Sequence, residues 1–129
     1  MFDKNTIREL LIDSVHSKNQ AKDFFNSKLT NKELLDVLVE IAIDDYSGDA
    51  RMEASYWSSK FEPELLKNIE GQLLKIQSDE LDNIACHAFV ALARIKSKDG
   101  LRYIIDKRIE PEMYWESEAL KLYMEDFLK

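Results

Sequence analysis

At 129 residues, with 45% apolar and 33% charged side chains but only three Gly and two Pro, the chain fits one compact domain with a sizeable core and little loop material. Its formal charge of −7 opposes non-specific attraction to nucleic acid or to an anionic membrane, and the longest uninterrupted apolar run, Ala88 to Ala93, is far too short to span a bilayer. The lone cysteine, Cys86, has no internal partner for a disulfide and reads as a small packing residue suited to a reducing compartment. The opening Met1, Phe2, Asp3, Lys4 lacks the cationic start and apolar block of a secretory signal, so the expected location is the cytoplasm.

The first predicted helix covers residues 5–18, with Thr6 and Glu9 placed as a capping box in which hydroxyl and carboxylate each satisfy a free backbone N–H. His16, near its end, adds a favourable charge at the negative helix pole. Ser17 to Asn19 break the pattern, and residues 20–28 make the second helix. Thr30 and Glu33 form another candidate box before residues 31–46, where Leu34, Leu35, Val37, Leu38, Val39, Ile41, Ala42 and Ile43 leave a single polar ridge of Asp36, Glu40 and Asp44. Like charges at that spacing oppose a helix by about 0.2–0.5 kcal/mol per pair, a cost that packing absorbs. The ridge reads as a solvated stripe or as a secondary contact for a basic partner. A metal is not expected there, because hard cations want carboxylates converging from several directions.

After Ser47 and Gly48 the pattern continues with helices 49–61, 63–77, 79–96, 99–108 and 111–128. Pro63 and Pro111 sit where a first-turn proline belongs, with Glu residues beside them that suit the positive helix end. Nothing reads as a strand or a linker. Short connections force antiparallel neighbours, so the helices pair as 31–46 with 49–61, 63–77 with 79–96, and 99–108 with 111–128. Residues 1–29 precede these hairpins as a capping pair, and residues 30–128 hold about three hairpins of one domain, 1–129.

Stepping about 100° per residue around the second helix of each hairpin groups Ala50, Ala54, Trp57, Ser58 and Phe61 on one face. The corresponding faces further on hold Leu81, Ile84, Ala85, Ala88, Leu92 and Ile95, then Trp115, Ala119, Leu122 and Tyr123. Ala54, Ala88 and Ala119, spaced 34 and 31 residues apart, centre these stripes and let a paired helix approach closely. Such recurrence is the mark of stacked helix pairs. The stretches Asp49 to Trp57, Asp82 to Leu92 and Met113 to Tyr123 resemble the second helices of HEAT-like repeats; Asp49 and Arg51 match the turn Asp and Arg of that family, and the later units lack the Arg. The expected fold is all-α, a short right-handed α-solenoid of HEAT-like hairpins, with a plain irregular helical bundle as the alternative.

Beside the core face, the second helices carry Asp49, Glu53 and Lys60, then Glu80, Asn83, His87 and Arg94, then Tyr114, Glu118 and Glu125. Stacking would align these as one surface, and the repeat resemblance implies that a concave surface of this kind is where a partner docks; a mixed polar face with internal ion pairs is the other reading. Met52 and Tyr56 point away from Ala54 and, if exposed, make an adaptable apolar anchor beside the acidic field. His87, with Glu80 one way and Arg94 the other, has the makings of a titrating base, but Cys86 points about 100° away and no nucleophile, second acid or metal converges on it. Glu116, beside Ala119, Leu120 and Tyr123, is expected to pair with Arg94 or Arg102 as a structural carboxylate.

Residues 33–64 hold nine acids against Arg51 and Lys60, whereas residues 94–108 hold six bases against Asp99 and Asp106. The basic stretch lacks interleaved exposed aromatics and is flanked by Glu110, Glu112, Glu116 and Glu118, so a nucleic-acid groove is not expected. These observations point to a non-catalytic protein-binding domain whose acidic surface takes a basic protein partner. In its most concrete form the chain resembles small acidic bacterial immunity proteins, by size, charge and lack of catalytic groups; the resemblance implies binding and masking of a basic toxin domain. A scaffold or adaptor subunit is the second reading, and a small enzyme built around His87 the third. No cofactor, metal, nucleic acid or membrane enters the expectation, and the oligomeric state is open.

Overall fold

The computed structural model describes residues 2–106, 119 and 121–123. All regular structure in these residues is helical: α1 Lys4–Val15, α2 Asn19–Asn26, α3 Lys32–Ile43, α4 Gly48–Ser58, α5 Pro63–Lys67, α6 Glu70–Gln77, α7 Asp82–Arg94 and α8 Lys98–Asp106. Ala119 and residues 121–123 are helical as well. The rest of the predicted helix 111–128, with Trp115 and Glu116, lies outside the described residues.

Helix starts follow capping chemistry, one to three residues away from the predicted boxes. Asp3, not Thr6, caps α1, its carboxylate accepting the Thr6 N–H and hydroxyl, both at 2.9 Å. Asn31, not Thr30, caps α3 by accepting the Leu34 N–H at 3.0 Å. In both cases a short Asx side chain outcompetes a neighbouring threonine, in line with the rank order of capping residues. Ser47 caps α4, and Pro63 opens α5 as predicted.

The helix predicted over 63–77 is two helices, because Ile69 leaves the helical region (φ −116°, ψ 23°). The preceding Asn68 is a poor helix former whose side chain competes with the backbone. Helix α3 also stops short of the predicted residue 46. Asp44 turns extended, which frees the Asp45 carboxylate to accept from Arg8 Nη2 at 2.6 Å and from the Ser47 N–H at 3.1 Å. Arg51 closes the exposed end of α3 by donating from Nε to the Ala42 carbonyl at 3.1 Å and from Nη2 to the Ile43 carbonyl at 3.3 Å. Cationic donors at a helix C-terminus satisfy orphan carbonyls and oppose the dipole.

Helices α3 and α4 pack together, as do α6 and α7; α1, α4 and α7 lie side by side, and α3 packs on α6. The large core is built from Ile7 and Leu11 of α1, Phe25 of α2, Leu34, Leu35, Leu38 and Ile41 of α3, and Trp57, Leu73, Ile84 and Leu92 beyond them. A smaller cluster of Ala85, Phe89, Ala93, Ile104, Ala119 and Tyr123 joins α7 to α8 and to the helical residues 119 and 121–123. Ala54, Ala88 and Ala119 are all buried, and Ser55 Oγ donates to the Ile84 carbonyl at 2.7 Å, a distance that needs the closely approaching α4 and α7 backbones that small residues permit. Leu81, expected on the core face, is instead 49% exposed, because it precedes α7 as its N-cap and lies off the helical phase. Gly100 is likewise a matter of clearance: a Cβ there would meet Tyr123 Oη at 2.7 Å and Leu92 Cβ at 2.9 Å.

Enlarging the buried Ala88 to leucine is expected to overpack the contact between α7 and its neighbours and cost about 1–3 kcal/mol. The midpoint of urea unfolding checks this; an unchanged midpoint would mean that the side chain escapes the core.

Candidate functional site

Helix α4 carries Met52, Glu53, Tyr56 and Trp57 on one flank, with Lys60 just past its end. Together with Ser14 and Val15 of α1, Ser17, Lys22 and Asn26 around α2, and His87 of α7, these residues line a groove of about 490 Å³. Glu53, Lys60 and His87, expected on one stripe, are thus brought together with Tyr56, expected beside them as part of an apolar anchor. Asn83 stands at the rim, its Nδ2 3.5 Å from Met52 Sδ. Arg94, placed on the same stripe by its spacing, turns away and donates from Nη1 to the carbonyls of Ser59 and, at 2.8 Å, Phe61. Asp49 and Glu80 are exposed and do not line the groove. Tyr114, Glu118 and Glu125 lie outside the described residues.

Hydrogen bonds and rings fix the groove. The Trp57 indole Nε1–H donates to Ser14 Oγ at 3.1 Å, and that hydroxyl donates in turn to Glu53 Oε1 at 2.7 Å. Ser14 is buried, so the relay sits in a low dielectric, where each bond strengthens the next. Rings continue the line: Phe25 stacks on Trp57 with centroids 5.3 Å apart, and Tyr56 meets both Trp57 and His87 edge-on at 5.2 and 5.3 Å. The Lys60 ammonium lies 4.8 Å from the Tyr56 ring centroid, within cation–π range.

Burial, aided by the positive charge of Lys60, pushes the His87 pKa down to about 4, so its imidazole is neutral near pH 7. That corrects the expectation of a histidine governed by Glu80 and Arg94, since the neighbouring charge is Lys60. Burial also pushes the half-buried Cys86 thiol up, which keeps it protonated and a poor nucleophile. Ser14, Lys22 and Asn26 were not singled out from the sequence. Ser14 did leave a signal, because it continues the buried stripe of Ile7 and Leu11 at helical spacing, where a hydroxyl needs a partner.

A second feature is an acidic end. Arg51, in the first turn of α4, pairs with Asp79 in the turn between α6 and α7, so that turn and the one between α3 and α4 share one end of the molecule. Asp44, Asp49, Glu80 and Asp82 are exposed there, together with Leu81 and with Tyr46, which is 82% exposed. Beneath Tyr46, with its guanidinium carbon 4.6 Å from the ring centroid, Arg8 is almost wholly buried against Asp45. The hydrogen bonds from Arg8 hold the Asp45 carboxyl below the usual carboxylate range.

The secondary ridge of Asp36, Glu40 and Asp44 lines a shallower groove between α3 and α6, of about 350 Å³, with Val39, Ile43, Ile69 and Gln72. Lys32 pairs with Asp36 at 3.1 Å and Lys4 with Glu40 at 3.2 Å, so the ridge is part-neutralised. Among the described residues no three potential metal ligands cluster, and no helix is long and apolar enough to cross a membrane. The chain matches no protein-family model, no curated protein and no solved structure.

Proposed function

We propose that the protein is a non-catalytic protein-binding domain: a short right-handed HEAT-like α-solenoid, with α1, α4 and α7 as one layer and α3 and α6 as the other, whose acidic end receives a basic partner. In its most concrete form it is an immunity-type inhibitor that binds and masks a basic toxin domain in the cytoplasm. The observation that carries this reading is the acidic end. Arg8 and Arg51 are committed to Asp45 and Asp79, while Asp44, Asp49, Glu80 and Asp82 stay exposed around two large apolar side chains, Tyr46 and Leu81. Exposed apolar side chains flanked along the chain by acidic residues support recognition of a basic surface, with the field speeding encounter and rejecting wrong partners.

The test is co-expression with the product of the adjacent reading frame, followed by measurement of complex size and association rate. A one-to-one complex whose association slows with added salt is expected. Combining Asp44→Lys with Glu80→Lys should leave helicity intact and slow association about tenfold or more at low ionic strength. An unchanged rate would remove the acidic end from consideration. The alternative, a scaffold or adaptor subunit, draws on Ile105 of α8, which is 63% exposed beside the second cluster and would suit an end-on contact. Self-association that depends on Ile105 would favour it.

A further inference from the structure

The acidic end leaves the groove between α1, α2, α4 and α7 without a role, and the groove's charge is of a different kind. In a chain of net charge −7, Lys22 and Lys60 line it with no carboxylate partner among the described residues. Lys4, Lys18, Lys32 and Lys67 each have one at 3.1–3.4 Å, while Lys28 and Lys75 outside the groove have none among the described residues, so it is the groove shared with Glu53 that sets Lys22 and Lys60 apart. Contact with the Tyr56 ring at 4.8 Å places the Lys60 ammonium, and the Ser14 hydroxyl at 2.7 Å places the Glu53 carboxylate. Glu53 lies within α4 and Lys60 just past its end, so Tyr56 and Trp57 stand between them along the chain. The rings of Tyr56, Trp57 and His87, in edge-on contact, line the groove with both charges. The groove is therefore dipolar, with an aromatic floor, and both of its charged ends are positioned before any ligand arrives.

We propose that this groove binds a peptide segment of a protein partner that carries one basic and one acidic side chain on the same face, the basic group meeting Glu53 and the acidic group Lys60 and Lys22. In an extended segment side chains two residues apart share a face, about 6.6 Å apart along the chain, so a basic and an acidic residue on either side of one small residue present both charges to the groove. A ligand of one sign desolvates one end of the groove without giving it a partner, so purely basic and purely acidic segments are both disfavoured. The groove volume of about 490 Å³ suits a few side chains rather than a folded domain. The inference rests on the protein-binding reading for the nature of its ligand, but it uses none of the residues of the acidic end, so each fails separately.

Titration of the ¹⁵N-labelled protein with the capped tripeptide acetyl-Arg-Ala-Glu-amide tests it, beside the three analogues in which Gln replaces the Arg, the Glu or both. The Trp57 indole N–H, through its bond to Ser14, reports occupancy. The doubly charged peptide should bind about threefold or more tightly than either singly charged analogue, with a saturable Trp57 shift. In the Lys60→Met protein the preference for Glu over Gln should vanish while that for Arg over Gln persists, and Glu53→Gln should do the reverse. Ser14→Ala should weaken the Arg preference alone, as befits a positioning residue. Absence of a saturable shift at millimolar peptide, indifference to the peptide's charges, or a preference that survives the matching substitution overturns the proposal. None of these results alters what the Asp44→Lys and Glu80→Lys pair says about the acidic end.

Discussion

Replacing Phe25 by alanine is expected to lower the unfolding free energy by about 3–5 kcal/mol. Phe25 is fully buried, stacks on Trp57 at 5.3 Å with an interplanar angle of 25°, and meets Phe24 edge-on at 5.2 Å. It is the ring through which α2 is fastened to α4. Removing it forfeits the transfer energy of a large side chain and leaves a void that cannot close readily, because Trp57 is held from the other side by Tyr56 and by its bond to Ser14. Chemical denaturation checks the magnitude. Because Lys22 and Asn26 belong to the same helix, the groove wall should loosen as well, shifting the Trp57 indole resonance. Phe25→Leu, which keeps most of the volume, should cost much less. A loss below about 1 kcal/mol for the alanine variant would mean that α2 contributes little to the folded core.

The second large effect is a loss of stability as pH falls from about 6.5 to about 4. In the unfolded chain the His87 imidazole takes up a proton near pH 6.5, while in the folded protein burial and Lys60 delay protonation to about pH 4. Between those values the unfolded state binds the extra proton, so acidification draws the equilibrium toward unfolding. The stability is fully present above pH 6.5 and has declined by about 3 kcal/mol once the folded-state value is reached. Urea unfolding of the wild type and of His87→Gln across this range is the measurement. The variant should show a nearly flat profile where the wild type slopes, and equal slopes would show that His87 is not the group responsible. Asp45 acts in a separate window. Its folded-state carboxyl titrates below the ordinary carboxylate value of about 3.9, so the stability it contributes is present above that pH and is lost as pH falls through the lower folded value. Asp45→Asn should therefore change the profile below about pH 4 and leave the histidine window alone.

The site was legible from the sequence only on one side. Periodicity put Glu53, Lys60 and His87 on corresponding stripes of two helices and Tyr56 with Met52 on a separate apolar side, and the structure joins all of them in one groove. The opposite wall comes from Ser14, Lys22 and Asn26, residues that lie 34, 26 and 22 positions before the start of α4, and no local pattern says that α2 folds back beside it. The charge of the site was misread for the same reason. Lys22 contributes a cation that a one-sided stripe omits, and Arg94, counted as part of the stripe, is spent on the carbonyls of Ser59 and Phe61.

By itself the sequence determined the helices and the faces they bury. Apolar periodicity, capping side chains and prolines act within a few residues, so Ala54, Ala88, Trp57 and Phe61 could be assigned to the core, and Pro63 to a helix start, without any tertiary knowledge. Only the tertiary structure decided where each polar group finds its partner. Arg8 reaches Asp45 across 37 residues and draws it out of α3, Arg51 caps α3 and ties down Asp79, and Ser14 aims Glu53 into the groove across 39 residues. Hydrogen bonds and ion pairs act over about 3 Å, and such distances are set by how helices pack rather than by the spacing of residues along the chain.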